Sequence, residues 1–244
     1  MAPATNEVRS VSFIVPAWNE ESVLGPTLDA IQAAARQLPV PCEIIVVDDH
    51  STDRTSTVAL GRGARVIRVQ HRQIAATRNA GARVAQGDLL FFVDADTRVT
   101  TATVRAAVEC VRQGAVGGGC AFRFDGRIPY YAKVLEAIML RLSPRIRVAG
   151  GCFLFCTRTA FDQVHGFNAQ LYAAEEVAIS LALRRLGRFV ILRESVTTSG
   201  RKLRTHSARE IFAPLFRIAF AGRRHLRDRR GLEIWYGNRR PDHG

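Results

Sequence analysis

The apolar run Leu89-Leu90-Phe91-Phe92-Val93 leads directly into Asp94-Ala95-Asp96. Carboxylates two residues apart on an extended backbone project to the same side of the chain. They repel each other unless a cation lies between them. Hard oxygen donors suit Mg²⁺ or Mn²⁺, which commonly combine one or two carboxylates with substrate phosphates. A solvated turn with two incidental acids is the alternative; the place of the pair after LLFFV, on a basic chain, favours the metal. A second acidic pair, Glu175-Glu176, stands near the start of a helical pattern, where the helix dipole stabilises negative charge. Such a pair can supply a general base for a hydroxyl proton, or serve only as a favourable first turn. A third pair, Asp48-Asp49, follows the run Glu43–Val47.

These acids fall where strands end. Ser12–Pro16, Glu43–Val47, Val66–Val69 and Leu89–Val93 read as strands. The segments between them carry helical spacing, first through Val23, Leu24, Leu28, Ile31, Ala35 and Leu38, then over 57–60 and 77–85. Three of the four strands are continuously apolar, which predicts a parallel sheet covered on both faces by helices. Ligands bind such sheets at the carboxyl ends of the strands, so Asn19, Asp48, Asp49, Asp94 and Asp96 are expected to meet along one edge. The second half predicts helices over 101–111, 130–142 and 173–186, and strands over 115–124, 152–156 and 189–192.

The chain has 244 residues, 47% hydrophobic and 23% charged. That excludes a wholly disordered chain, a collagen and a polytopic membrane protein. There are 35 Lys+Arg against 22 Asp+Glu, a net charge of +13, and the only lysines are Lys133 and Lys202. Such a field draws anionic partners, and arginine's planar fork grips phosphate through two oxygens. The five cysteines, Cys42, Cys110, Cys120, Cys152 and Cys156, form no CxxC pair and read as buried free thiols. Met1–Ser10 is polar, without the apolar core of a signal peptide, and no apolar run reaches the ~18 residues of a spanning helix. The expectation is a cytoplasmic protein, peripheral at most on the inner membrane face. Over residues 201–244 twelve Lys/Arg stand against four Asp/Glu. There the apolar run Ile211–Ala221 precedes an arginine cluster, a pattern that suits either an anionic membrane surface or docking on the main domain. The organisation expected is a tail over 1–10, a domain over 11–205 and a basic amphipathic arm over 206–244.

Five segments in order resemble family 2 glycosyltransferases of the GT-A fold. They are SFIVPAWNEE (Ser12–Glu21), IIVVDDHSTDRT (Ile44–Thr55), AATRNAGARVAQGDLLFFVDADT (Ala75–Thr97), GGCFLFCTRTAFDQVHGFN (Gly150–Asn168) and AAEEVAISLALRRLG (Ala173–Gly187). The resemblance implies a Rossmann-like, mostly parallel central sheet flanked by helices, with the basic C-terminal helical arm attached. It also implies transfer of a sugar from a nucleotide-diphosphate sugar to an acceptor hydroxyl, inverting the anomeric carbon, with Mg²⁺ or Mn²⁺ on the diphosphate. By this resemblance Pro16, Ala17, Asn19 and Glu20 line the nucleotide pocket, and Asp48 or Asp49 meets the base or ribose. Arg78 meets the phosphates, Asp94 faces ribose and metal, and Asp96 ligates the metal. Gly150, Gly151 and Cys152 help form the sugar and acceptor pocket. The family usually writes the base pair as Glu-Asp; here Glu176 takes the second position, with Glu175 as support or alternative. His50 stands where many relatives carry glycine. Thr198-Ser199-Gly200-Arg201-Lys202 resembles a late motif of some bacterial members, with Arg201 and Lys202 able to close over the pyrophosphate, and His206 is a lesser candidate for a further metal ligand. A lipid-linked acceptor fits the arm. A nucleotidyltransferase, an inactive sugar-nucleotide-binding relative and a nucleic-acid-binding module are the rival readings. The last lacks any helix-turn-helix, zinc-finger or RNP signature, so no nucleic-acid partner is expected.

Overall fold

Strands that are apolar on both faces have to be covered on both sides, and the chain meets that demand with one eight-stranded sheet. The computed structural model describes residues 7–146, 148–213, 225–227, 229, 232, 236, 237, 240 and 242. Strands β1 (Val11–Ala17), β2 (Cys42–Asp49), β3 (Arg65–Val69) and β4 (Leu89–Val93) are parallel. They are joined through α1 (Leu24–Ala35), α2 (Thr55–Leu60) and α3 (Ile74–Val84). After β4 come β5 (Thr97–Arg98), α4 (Thr101–Arg112), β6 (Ala115–Phe124), α5 (Tyr130–Ile146), β7 (Phe153–Thr157) and α6 (Arg158–Gln163). Then follow α7 (Glu175–Leu186), β8 (Arg188–Thr198) and α8 (Arg201–Thr205). The strand order is β3-β2-β1-β4-β7-β6-β8-β5. β7 is antiparallel to both neighbours, β6 and β8 are parallel, and β5 is antiparallel to β8.

The two-residue period of the strands sorts the core into two layers. Phe13, Val15 and Phe91 face α1 and α4, whose Leu24, Leu28, Ile31, Val104 and Val108 are buried there. Ile14, Ile45 and Phe92 face the other way, toward Ala75 and Ala80 of α3 and toward Ile179 and Leu183 of α7. Phe13 stacks on Phe91 at 4.9 Å, and Phe167 meets Phe92 edge-on at 4.9 Å. Helix α3 lies so close to the sheet at Gly81 that a Cβ there would fall 2.4 Å from Ile14 Cγ2.

Several elements differ from their sequence-based bounds. Helix α7 starts at Glu175, not at 173, because Ala174 is left-handed (φ 60°) and breaks the helical path. Strand β8 continues to Thr198, well past 192, because it pairs along the whole of β6 with a register shift at Cys120/Ala121. Asp94–Asp96 is a turn, not extended backbone: Thr97 N–H donates to Asp94 O at 3.0 Å so that the chain can swing into β5. Helix α5 is amphipathic in an unexpected sense, since its Tyr130, Val134 and Ile138 are exposed. All five cysteines are free thiols, with Cys120, Cys152 and Cys156 buried. Most of the run Ile211–Ala221 and Arg223, Arg224 and Arg230 lie outside the described residues. Among the described residues no helix is long and apolar enough to cross a membrane.

Candidate active site

The carboxyl ends of β1 to β4 share one edge of the sheet, and the loop entering α7 faces them. Between them is a cavity of about 400 Å³, within the ~300–1,000 Å³ usual for small-molecule sites. Pro16, Ala17, Glu20, Asp49, Arg78, Asp94, Asp96, Gly151, Glu175, Glu176 and Lys202 all line it. Asn19, Asp48, Cys152, Arg201 and His206 are not among its lining residues.

The reasons for those departures are local. Asn19 is left-handed (φ 51°), and its Oδ1 accepts the Thr52 N–H at 2.8 Å, tying the turn after β1 to the turn after β2. Asp48 is buried and accepts from the Ser51 N–H (2.9 Å) and the Ser56 hydroxyl. Of the two candidates for a nucleoside contact, only Asp49 borders the cavity. Its carboxylate also accepts from the N–H groups of His71 (2.7 Å), Arg72 (2.9 Å) and Gln73 (3.2 Å) and from the Thr77 hydroxyl (2.8 Å).

The other acids are crowded rather than satisfied. Arg78, a buried residue of α3, donates through Nη2 to Asp94 Oδ1 (2.8 Å) and to Gly151 O (2.7 Å), and through Nη1 to Glu175 Oε1 (2.9 Å). Burial opposes its charge, but Asp94, Glu175 and Glu176 outweigh that and hold it protonated. Its Nε is buried without a hydrogen-bond partner among the described residues. Arg78 thus binds the two acidic groups together at the cavity lining. Glu176 lies beside Gly151, where a Cβ would be 3.6 Å from Glu176 Cδ. Burial, then the Glu175 carboxylate, pushes its pKa up to about 8, against the pull of its own backbone N–H and of Arg78. Asp96 is pushed up to about 6 by burial, and the neighbouring Asp94 and Glu20 carboxylates add to this; Lys202 and Arg201 draw it back.

The late motif acts as a clasp. Ser199 N–H donates to Asp96 O at 3.1 Å, Gly200 N–H to Asp125 Oδ1 at 2.8 Å, and Arg201 Nη2 to Glu20 Oε2 at 2.8 Å. Arg201 is therefore spent on the wall, and Lys202 is the cation of the motif that lines the cavity. His206 bonds through Nδ1 to the Thr205 hydroxyl at 2.9 Å.

The lining also includes Trp18, Arg72, Gln73, Tyr172 and Tyr236, to which the sequence assigns no role. Arg72 and Gln73 follow a strand end and obey the same edge rule as the acids. Arg72 lies over the Trp18 ring at 3.3 Å. Tyr236 is remote in sequence and carries no local signal.

Among the described residues no group of three or more His, Cys, Asp or Glu is arranged to hold a metal ion alone. The donor set nevertheless fits a divalent cation shared with substrate phosphates. Asp94 and Asp96 offer hard oxygens, and a bound cation would favour the charged form that burial, with the Asp94 and Glu20 carboxylates, disfavours at Asp96.

The profile of glycosyl transferase family 2 matches residues 12–164. The chain belongs to glycosyl transferase family 2. Within that family it is 31% identical over 184 residues to the undecaprenyl-phosphate 4-deoxy-4-formamido-L-arabinose transferase of Pectobacterium carotovorum, covering 70% of this chain and 54% of that one. It is also 31% identical over 142 residues to the validoxylamine A glucosyltransferase of Streptomyces hygroscopicus subsp. limoneus, covering 53% and 30%. The chain therefore spans about half or less of the length of these relatives. Its fold is the GT-A fold. The mannosyltransferase PcManGT of Pyrobaculum calidifontis, solved with GDP-Man and Mn²⁺, superposes with a TM-score of 0.67 at 19% identity, covering 88% of this chain and 62% of that one. TarS of S. aureus, residues 1–349 with UDP-GlcNAc, gives 0.60 at 20% identity, covering 78% and 58%.

Proposed function

We propose that this chain transfers a sugar from a nucleotide-diphosphate sugar to an acceptor hydroxyl with inversion at the anomeric carbon. The observation that carries the reading is the meeting, in one cavity, of the Asp94/Asp96 turn, the Glu175-Glu176 helix start and the cations Arg72 and Lys202. The turn after β1 takes the nucleoside, with Asp49 beneath it. Asp94 and Asp96 hold Mg²⁺ or Mn²⁺, which when bound offsets the charge of the diphosphate leaving group. Lys202 adds a positive charge on the same side. Glu176 accepts the proton of the acceptor hydroxyl as that oxygen bonds to the anomeric carbon. The bond from that carbon to the diphosphate oxygen breaks, and the leaving group keeps the electron pair. A base with a pKa near the working pH is the effective kind, and burial gives Glu176 that character. Glu175 is the weaker candidate, because it is held on Arg78. Holding donor and acceptor in line supplies a large part of the rate.

A lipid-linked acceptor at a membrane surface is the finer part of the reading. The relatives named as undecaprenyl-phosphate transferases support it. So do the exposed Tyr130, Val134 and Ile138 of α5, beside the exposed Arg127 and Lys133. An apolar stripe among cations suits an anionic bilayer, and this placement keeps the chain on the inner face of the membrane.

A thermal-shift screen with UDP-, GDP- and dTDP-sugars, each with and without Mn²⁺, tests the donor site, since a ligand of the folded state raises its melting temperature. The wild type should respond to one base and more strongly with Mn²⁺. Asp96→Ala should lose the Mn²⁺-dependent part of the response. An identical response from wild type and variant, with and without metal, removes Asp96 from its role.

A further inference from the structure

The last described residues of the chain return to the cavity. Tyr172 N–H donates to Leu226 O at 2.7 Å, and the Tyr236 hydroxyl donates to Tyr172 O at 2.9 Å. The two tyrosine rings meet edge-on at 5.7 Å. Leu232 is buried. Tyr236 O accepts from Arg72 Nη2 at 3.3 Å and from Arg229 Nη2 at 3.1 Å, and the Arg229 guanidinium also lies over the Tyr236 ring. Further along, Arg204 Nε donates to Asp242 at 3.0 Å and Arg240 Nη2 to Glu210 at 2.6 Å. Leu226 and Tyr236 are thus tied to the loop before α7, Tyr236 also to the loop after β3, and Asp242 to α8.

These bonds use the polar atoms of Tyr236 on protein partners. Its hydroxyl is committed to Tyr172 and its carbonyl to two arginines. What it adds to the cavity is the ring. An aromatic ring offers a large apolar face at small conformational cost, a surface that suits the C–H face of a pyranose. The ring stands next to Tyr172, in the loop that leads into the Glu175-Glu176 helix start, the side on which the donor reading puts the sugar.

Resting on the nucleotide-sugar reading, we infer that Tyr236 is a sugar-contacting residue, its ring held at the cavity by Tyr172, Arg72 and Arg229. Sugar selectivity then depends on a residue far in sequence from the motif-bearing domain.

The test is calorimetric titration in Mn²⁺ with UDP, UDP-glucose, GDP and GDP-mannose. Tyr236→Ala should bind the accepted sugar nucleotide roughly three- to ten-fold more weakly, the loss of one aromatic contact, while its affinity for the matching nucleoside diphosphate stays unchanged. Tyr236→Phe keeps the ring and should match the wild type. Leu232→Asp leaves every lining residue intact but puts a charge at the buried residue whose carbonyl accepts the Tyr236 N–H, and should reproduce Tyr236→Ala by displacing the ring. Equal losses for the nucleoside diphosphate and its sugar nucleotide, or no loss for either, overturn the inference. Failure of the wild type to bind any of the four, together with no response to any UDP-, GDP- or dTDP-sugar in the thermal-shift screen, overturns the donor reading itself, and the role of Tyr236 with it.

Discussion

Asp49 sits on one wall of the cavity, with its chain neighbour Asp48 buried outside it, and Asp94, Asp96, Glu175 and Glu176 sit on the other. In the sequence all are acids at element ends. In the first group, turns aim backbone N–H groups and hydroxyls at the carboxylates, and Asp49 alone accepts four hydrogen bonds. In the second group one guanidinium serves Asp94 and Glu175, while Asp96 and Glu176 are pressed toward the protonated state. An acid well supplied with donors builds architecture; an acid short of them is held ready for a proton or a cation. The supply of donors, not the residue type, separates the two walls.

That contrast can be broken at Glu176 first. Glu176→Gln should lower transfer by about 10²–10⁴-fold, the usual contribution of a general base, and leave donor binding in place; a dead-transfer, intact-binding Glu175→Gln would move the base by one residue. The wild-type rate should rise with pH and level off above about 8, where Glu176 is ionised. Stability should move the opposite way. The folded pKa lies above the unfolded one, so the contribution of Glu176 is fully present below the unfolded value and is lost as pH rises through about 8. Urea titrations across this range should show that decline, and Glu176→Gln should flatten it. At Asp49 the expectation reverses. Asp49→Asn removes charge from buried hydrogen bonds worth roughly 1.5–3 kcal/mol each when charged, and should cost about 2–4 kcal/mol by urea denaturation, whatever its effect on the donor. A loss of Asp49 as mild as that of a surface acid would erase the distinction.

The smallest effect sharpens the comparison at the turn after β2. His50 is left-handed (φ 63°) and exposed, at the position where glycine is the unstrained choice. His50→Gly should gain up to about 1 kcal/mol, read as a higher urea midpoint at unchanged slope.

The parallel half of the fold was legible because its cues are local. Continuous apolar strands imply covering helices, and acids after them imply a shared edge. The acidic pairs were legible for the same reason. Three things were not. The Asp94–Asp96 turn depends on β5 pairing with β8, about a hundred residues away. The separation of Asp48 from Asp49, and of Arg201 from Lys202, depends on which way a side chain leaves the backbone next to distant partners. Tyr236 reaches the cavity only through tertiary contacts with Tyr172 and Arg72. Residue types announced the chemistry, but their allocation between scaffold and reaction was written in long-range contacts.

The Arg78 fork has a practical corollary for anyone redesigning the cleft. It spans the strand end that carries Asp94 and the helix start that carries Glu175, so one side chain pins the two together. A lysine, with one point charge, could not hold both ends at once. Widening the cleft for a bulkier sugar by moving α7 outward would strand one acid without its counter-charge, so a successful redesign must first install a second anchor.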